Sequence, residues 1–319
     1  MKNRITSPVL LIAFNRPDTA KKVFNQIKKV RPAHLYIAVD GPRVDRLGEA
    51  EKCKQCQELV NLVDWDCEVH TLFRDENVGC GFGPAGAISW AFETAEELIV
   101  LEDDCLPSIS FFYFCEELLS RYKSDKRIGI ISGLSIHSGE DILGPYDYTF
   151  SRFAHTWGWA TWKDRWNEFD MYMKDLPQFL QDGGSFNVYQ NKRMSKAIDR
   201  RLEQVYDTIE EEVKHSWDTQ WSYTRIKNSY LNIVPKLNLI TNVGATNGTH
   251  SSEGAASSNL YSNELTFCLV HPKFVTCNTK YDNYHYNVYI NPSLDRVIYF
   301  YFMHPKKLYK RILQKIRIC

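Results

Sequence analysis

LIVLEDDCLP, residues 98–107, decides the fold. Four apolar residues run straight into three consecutive acids and then into a proline that ends the strand. Working back from it, Ala87, Ile88, Ala91, Phe92 and Ala95 share one helical face. The spacing predicts a glycine-rich loop at Gly79–Gly83 leading to Pro84 at the start of that helix. Earlier still, apolar runs at Pro8–Phe14, Leu35–Val39 and Cys67–Phe73 have the length of strands. Ala20, Val23, Phe24 and Ile27 form a one-faced helix between the first two, and a helix over about 48–63 joins the second to the third. Downstream, Phe111, Phe114, Cys115, Leu118 and Tyr122 give another helix, and Ile128–Ile131 a fifth strand. Strands buried on both faces and alternating with helices predict an α/β protein with a mainly parallel sheet. Ligands of such sheets bind beyond the carboxyl ends of the strands. Asn15, Arg16, Asp40, Glu102, Asp103 and Asp104 are therefore expected in one crevice.

Composition narrows the class. The 319 residues carry 39 Lys+Arg against 39 Asp+Glu, which argues against a general nucleic-acid binder, because phosphate affinity needs a cationic surplus. The apolar share of 44% is that of a globular chain, long enough for one large domain or two joined ones. Val9–Phe14 is too short for a membrane span or a signal core, so a cytoplasmic protein is expected. The cysteines are odd in number and irregularly spaced, which speaks against a disulfide framework. Cys53 and Cys56 form a lone C-x-x-C; the expected role is a buried stripe with Val60 and Val63 rather than a zinc or redox site.

The acids after Leu101 invite chemistry. Strand alternation places Glu102 and Asp104 on one face and Asp103 on the other. Crowded carboxylates need a cation or donors to neutralise them, and Mn²⁺ or Mg²⁺ meets that need with sites left for a diphosphate. The same acids could instead cap the helix after Pro107.

From about residue 150 the texture changes. HTWGWATWKDRW (155–166) holds four tryptophans. Met194, Ile198, Leu202, Val205, Ile209 and Val213 predict one long helix, followed by HSWDTQW (215–221), a strand-like Leu231–Ile240 and a small-residue loop over 242–258. After Asp295 the chain has no acid, while Lys306, Lys307, Lys310, Arg311, Lys315 and Arg317 alternate with Leu308, Ile312, Leu313 and Ile316. That pattern fits a helix on an anionic membrane face or a solvated helix packed on the body.

PVLLIAFNRPD (8–18), AVDGP (38–42) and above all IVLEDDCLPSISFFYF (99–114) resemble the GT-A nucleotide-sugar glycosyltransferases. The resemblance is to the N-acetylglucosaminyltransferase I-like enzymes of family 13 and to bacterial family-2-like transferases of surface-polysaccharide synthesis. It extends through HTWGWATW and SWDTQW to NVGATNGTHSS, about residues 7–252. It implies a GT-A fold: a Rossmann-like, mainly parallel sheet flanked by helices, with a smaller C-terminal acceptor-binding part. The implied division is a donor subdomain over 1–150, an acceptor subdomain over 151–260 and a C-terminal extension over 261–319.

The roles that the resemblance implies are specific. Arg16 contacts the nucleotide or diphosphate, and Asp40 accepts the uracil N3–H. Asp104 is the direct ligand of Mn²⁺ or Mg²⁺, with Glu102 and Asp103 on donor hydroxyls. Asp218 is the general base for an inverting displacement, although its position suits a helix N-cap equally. Trp157, Gly158 and Trp159 wall the acceptor pocket, while Thr249 and His250 lie in the loop over the diphosphate. The partners implied are a UDP-sugar, a saccharide acceptor linked to a polyprenyl diphosphate, and the cytoplasmic membrane face through the basic C-terminal helix; nucleic acid is not among them. Two departures stand out: the helix before the acids offers Ala87 and Ile88 where family-13 relatives carry a basic or histidine residue, and their paired acids become Asp218–Thr219. Two other readings compete. GFGPAG (81–86) matches G-x-G-x-x-G, as in an NAD(P) oxidoreductase, though it does not open the first βα unit. A non-catalytic carbohydrate- or membrane-binding module on a transferase scaffold is the other.

Overall fold

The computed structural model describes residues 4–137, 142–244 and 260–290. In chain order the first half contains β1 (Val9–Ala13), α1 (Pro17–Val30), β2 (His34–Val39), α2 (Glu49–Gln57), β3 (Glu68–Phe73), α3 (Gly79–Ala91), β4 (Glu97–Glu102), β5 (Cys105–Pro107), α4 (Ile109–Tyr122) and β6 (Ile128–Ser132). The second half adds β7 (Tyr148–Ser151), β8 (Trp159–Trp162), α5 (Lys163–Trp166), α6 (Leu176–Gln181), α7 (Phe186–Tyr189), α8 (Lys192–Asp207), α9 (Ile209–Glu212), α10 (Asp218–Lys227), β9 (Leu231–Pro235), β10 (Ile240–Asn242) and α11 (Thr279–His285).

Eight strands form one sheet in the order β3-β2-β1-β4-β8-β6-β9-β7. The pairs β3–β2, β2–β1, β1–β4 and β6–β9 are parallel, while β8 lies antiparallel between β4 and β6, and β7 antiparallel on β9. The protein is thus of the mixed α/β, Rossmann-like class that the sequence predicts. Strand order runs outward from β1 to β3, then restarts on the other side of β1 at β4. This is a topological switch point, and the crevice that it opens lies at the carboxyl ends of β1 and β4.

Alternation along the strands sorts the core into two layers. Val9, Leu11, Ala13, Leu35, Ile37 and Val39 face Ala20, Val23, Phe24 and Ile27 of α1, Cys53 and Cys56 of α2, and Phe111, Phe114 and Leu118 of α4. Leu10, Ile12, Tyr36 and Ala38 face Ala87, Ile88 and Ala91 of α3 and a cluster of Trp159, Trp166, Trp217 and Trp221. Cys53 and Cys56 are buried free thiols, as expected of an apolar stripe, and no disulfide occurs among the described residues. A separate helical core gathers Met173, Leu176, Met194, Ile198, Leu202, Val205 and Tyr223.

Several expectations change. The glycines at 79–83 are not a loop: α3 starts at Gly79 and contains Pro84. A Cβ on Gly81 would stand 1.8 Å from the Val213 carbonyl oxygen, and the Gly81 N–H donates to the Lys214 carbonyl at 3.3 Å. Glycine is needed there because two backbones touch. Strand β3 is an edge strand, only partly buried. WATW of the tryptophan motif becomes the inserted strand β8, buried throughout. The long helix breaks at Thr208 into α8 and α9, and the 231–240 run splits into β9 and β10. Residue 150 lies in β7, and strands from both sides of it share one sheet. No helix of the described residues is long and apolar enough to cross a membrane. Thr249, His250 and the basic tail lie outside the described residues.

Candidate active site at the ends of β1 and β4

Strand β4 ends at Glu102, and the chain turns over Asp103 and Asp104 before pairing β5 with β10. The turn cancels the alternation expected beyond Glu102: Asp103 and Asp104 both reach Arg16, which precedes α1. Arg16 Nη2 pairs with Asp103 Oδ1, and Nη1 lies 3.0 Å from Asp104 Oδ2. The Phe14 N–H points at Asp103 Oδ2 at 3.4 Å. Gly244 closes this group from above. A Cβ there would sit 2.6 Å from Asp104 Oδ2 and 2.7 Å from Arg16 Nη1, and the neighbouring Val243 N–H donates to the Asp104 carbonyl at 2.8 Å.

Three carboxylates against one guanidinium leave a surplus of negative charge. Burial, together with the charges of Asp104 and Asp103, pushes Glu102 up to about 8. Burial likewise pushes Asp103 up to about 7, against the pull of Arg16. The ends of β1 and β2 are register partners, and Asp40 follows β2 with its N–H on the Ala13 carbonyl. Its carboxylate accepts from Asn77 Nδ2 at 2.9 Å and from the Val78 N–H at 3.2 Å, tying β2 to the start of α3. Asn15 turns to a network that sequence reading missed: its Nδ2 donates to Glu49 Oε1 at 2.7 Å, and Arg43 Nε donates to Glu49 Oε2 at 3.0 Å. These bonds hold the buried Glu49 down at about 2, chiefly through Arg43.

Asp218 is the first residue of α10 but does not cap it; its Oδ1 accepts from Ser216 Oγ at 2.6 Å. Its charge is felt by Glu102, His155 and Arg225. It lines a cavity of about 300 Å³, and its charge adds a minor upward push to Glu102. Trp157 lines that cavity, whereas Trp159 is fully buried among the tryptophans. Gly158 has φ +59°, and a Cβ on it would clash with Ile240 Cδ1 at 2.3 Å. Of the three, only Trp157 reaches the cavity.

The cavity contains side chains that sequence reading did not single out: Arg152, Arg225, His155 and His285. The two imidazoles meet through their Nε2 atoms at 3.0 Å. Burial pushes His155 down to about 4, and His285 well below its usual range. Asp218, Ser222 and Arg225 recur at helical spacing on α10, a polar stripe that was available in DTQWSYTR. Elsewhere, His34, Glu68 and His70 bring their ligand atoms within 4.8 Å of one another. They sit at the amino ends of β2 and β3, the opposite edge from the crevice.

The fold and these groups define an α/β protein with an acid-rich crevice at the switch point of its sheet. No family model and no curated protein matches the chain. Among solved structures, half of the chain is similar to 47% of TarS residues 1–349 from S. aureus, at 10% identity and a TM-score of 0.35. HddC from Yersinia pseudotuberculosis gives 12% identity and a TM-score of 0.26 over 40% of this chain and 57% of that one. UDP-glucose pyrophosphorylase complexed with UDP-glucose gives 11% and 0.23 over 46% and 63%. The chain thus spans about half the length of the first two. Likeness of this degree decides no activity.

Proposed function

We propose that the protein is a glycosyltransferase that moves a sugar from a UDP-sugar to a saccharide hydroxyl with inversion. The observation that carries this reading is the pairing of Asp103 and Asp104 with Arg16 at the switch point, directly after Glu102, together with Asp218, which opens α10 without capping it and lines the cavity. Asp218, exposed and free of a capping role, takes the proton of the acceptor hydroxyl as its oxygen attacks the anomeric carbon. The bond from that carbon to the diphosphate oxygen breaks, and its electron pair leaves with UDP. Arg16 is the cation at hand for the diphosphate, and Asp40 the carboxylate for uracil.

The residues fit a hard divalent cation, because the donors are carboxyl oxygens and Arg16 alone is too little positive charge to keep all three ionised near neutral pH. Asp104 would hold Mn²⁺ or Mg²⁺, which supplies charge neutralisation at the leaving diphosphate when bound. The basic C-terminal pattern supports a lipid-linked acceptor of bacterial surface-polysaccharide synthesis, met at the inner membrane face. The test is UDP release from a panel of UDP-sugars with Mn²⁺ present or chelated. Metal-dependent release from at least one donor is expected; no release from any donor, with NAD or with saccharide binding alone in its place, contradicts the reading.

A further inference from the structure

The cavity beside Asp218 is built unlike a neutral sugar site. Arg225 is 4% exposed, and its described contacts are Nη2 to Ser222 Oγ at 2.8 Å and to the Ala154 carbonyl at 3.5 Å. Neither partner is a carboxylate, and its Nε has no hydrogen-bond partner among the described residues. Burial lowers its hold on the proton to about 10. His285, 3% exposed, also leaves its Nδ1 without a partner among the described residues. Arg152 reaches the same wall with Asp282 3.5 Å away, and Arg201 of α8 stands exposed at the rim. Set against these cations, the carboxylate lining the cavity among the described residues is Asp218.

A buried guanidinium with an orphaned donor is costly unless an anion completes it. The guanidinium fork matches the paired oxygens of a carboxylate or phosphate, where a neutral hydroxyl satisfies one donor at a time. We propose that this cavity is an acceptor subsite that reads an anionic group, a carboxylate or a phosphate, on the saccharide whose hydroxyl faces Asp218. The inference rests on the glycosyltransferase reading for the word acceptor, while the anion site itself stands on the cavity. Arg225 and Arg152 hold the anion, and Arg201 draws it in from the rim. The volume, about 300 Å³, is at the lower end of the range for small-molecule sites and suits one sugar ring with its charged substituent.

The test is calorimetric titration of the full chain with three probes: glucose, glucuronate and glucose 6-phosphate. At least one charged probe is expected to bind about tenfold or more tightly than glucose, and the stronger of the two identifies carboxylate or phosphate as the group read. Arg225→Gln should abolish that preference while Mn²⁺-dependent UDP binding stays as in the wild type. Because a buried substitution can compromise folding, Arg201→Ala provides the second arm, with a loss of about threefold expected for a rim charge. Equal binding of all three probes, no binding of either charged one, or an unchanged preference in both variants overturns the proposal. Charged-probe preference without UDP turnover would keep the anion site and remove the transferase reading; UDP turnover without that preference would do the reverse.

Discussion

The two sides of Asp218 carry opposite charge. Toward the sheet, Asp103 and Asp104 pair with Arg16, and Glu102 precedes them at the end of β4. Toward the helical half, Arg152, Arg201 and Arg225 line the cavity with Asp218 as the facing carboxylate. The acidic side is drawn from two strand ends and is held by ion pairs. The basic side is drawn from α8, α10 and the turn after β7, and its key cation is left incompletely bonded. On the proposed reading, one side balances the charge of a cation–diphosphate and the other that of an anionic acceptor, with one base between them.

The largest effect should come from the shared residue. Asp218→Asn keeps shape and removes the proton acceptor, so turnover should fall about 10²–10⁴-fold. UDP binding should stay within about twofold, because Asp218 is not in the ion-paired group around Arg16. Turnover kinetics beside calorimetry of the same variant check both.

The next effect belongs to the basic side alone. His155 sits folded at about 4 against a usual 6.5, lowered by burial. The unfolded chain therefore binds the proton first as pH falls. The stability held by the neutral imidazole is complete above pH 6.5 and is lost between there and about pH 4, a contribution of about 3 kcal/mol. Denaturant unfolding between pH 7.5 and 4.5 should show this slope, and His155→Phe should reduce it, the remainder coming from His285, which burial pushes down as well. An unchanged slope in that variant would place the acid sensitivity elsewhere.

A smaller effect separates the acidic side. Gly244→Ala would push a methyl to within 2.6 Å of Asp104 Oδ2, forcing the Arg16–Asp104 pair or the 242–244 backbone to move. Mn²⁺-dependent UDP affinity should weaken about tenfold, with a stability cost of about 1–3 kcal/mol, while binding of charged sugars in the cavity is untouched. Loss of both together would mean that the two sides are not independent.

The acidic side was legible in the sequence because its residues are consecutive or follow a strand directly. LEDD read as a strand end, and FNRP placed Arg16 one strand away. The basic side was not, since Arg152, His155, Arg225 and His285 come together only through tertiary packing of distant segments. The exception was the α10 stripe of Asp218, Ser222 and Arg225, visible as helical spacing but masked by the adjacent tryptophans. Of the tryptophans read as sugar-stacking faces, Trp157 lines the cavity, while Trp159, Trp166, Trp217 and Trp221 pack in the core between α3 and β8. The GFGPAG match shows the same ambiguity: glycines mark close backbone approach whether the neighbour is a pyrophosphate or, as at Gly81, residues 213–214.

The acids at the end of β4 are the most direct point of test for the proposed donor site. Calorimetry of UDP binding, with and without Mn²⁺, to wild type and to Asp104→Asn tests them in one experiment. The expected result is UDP binding that needs Mn²⁺ in the wild type and weakens about a hundredfold in the variant. UDP binding indifferent to both metal and mutation, or no UDP binding at all, would contradict it.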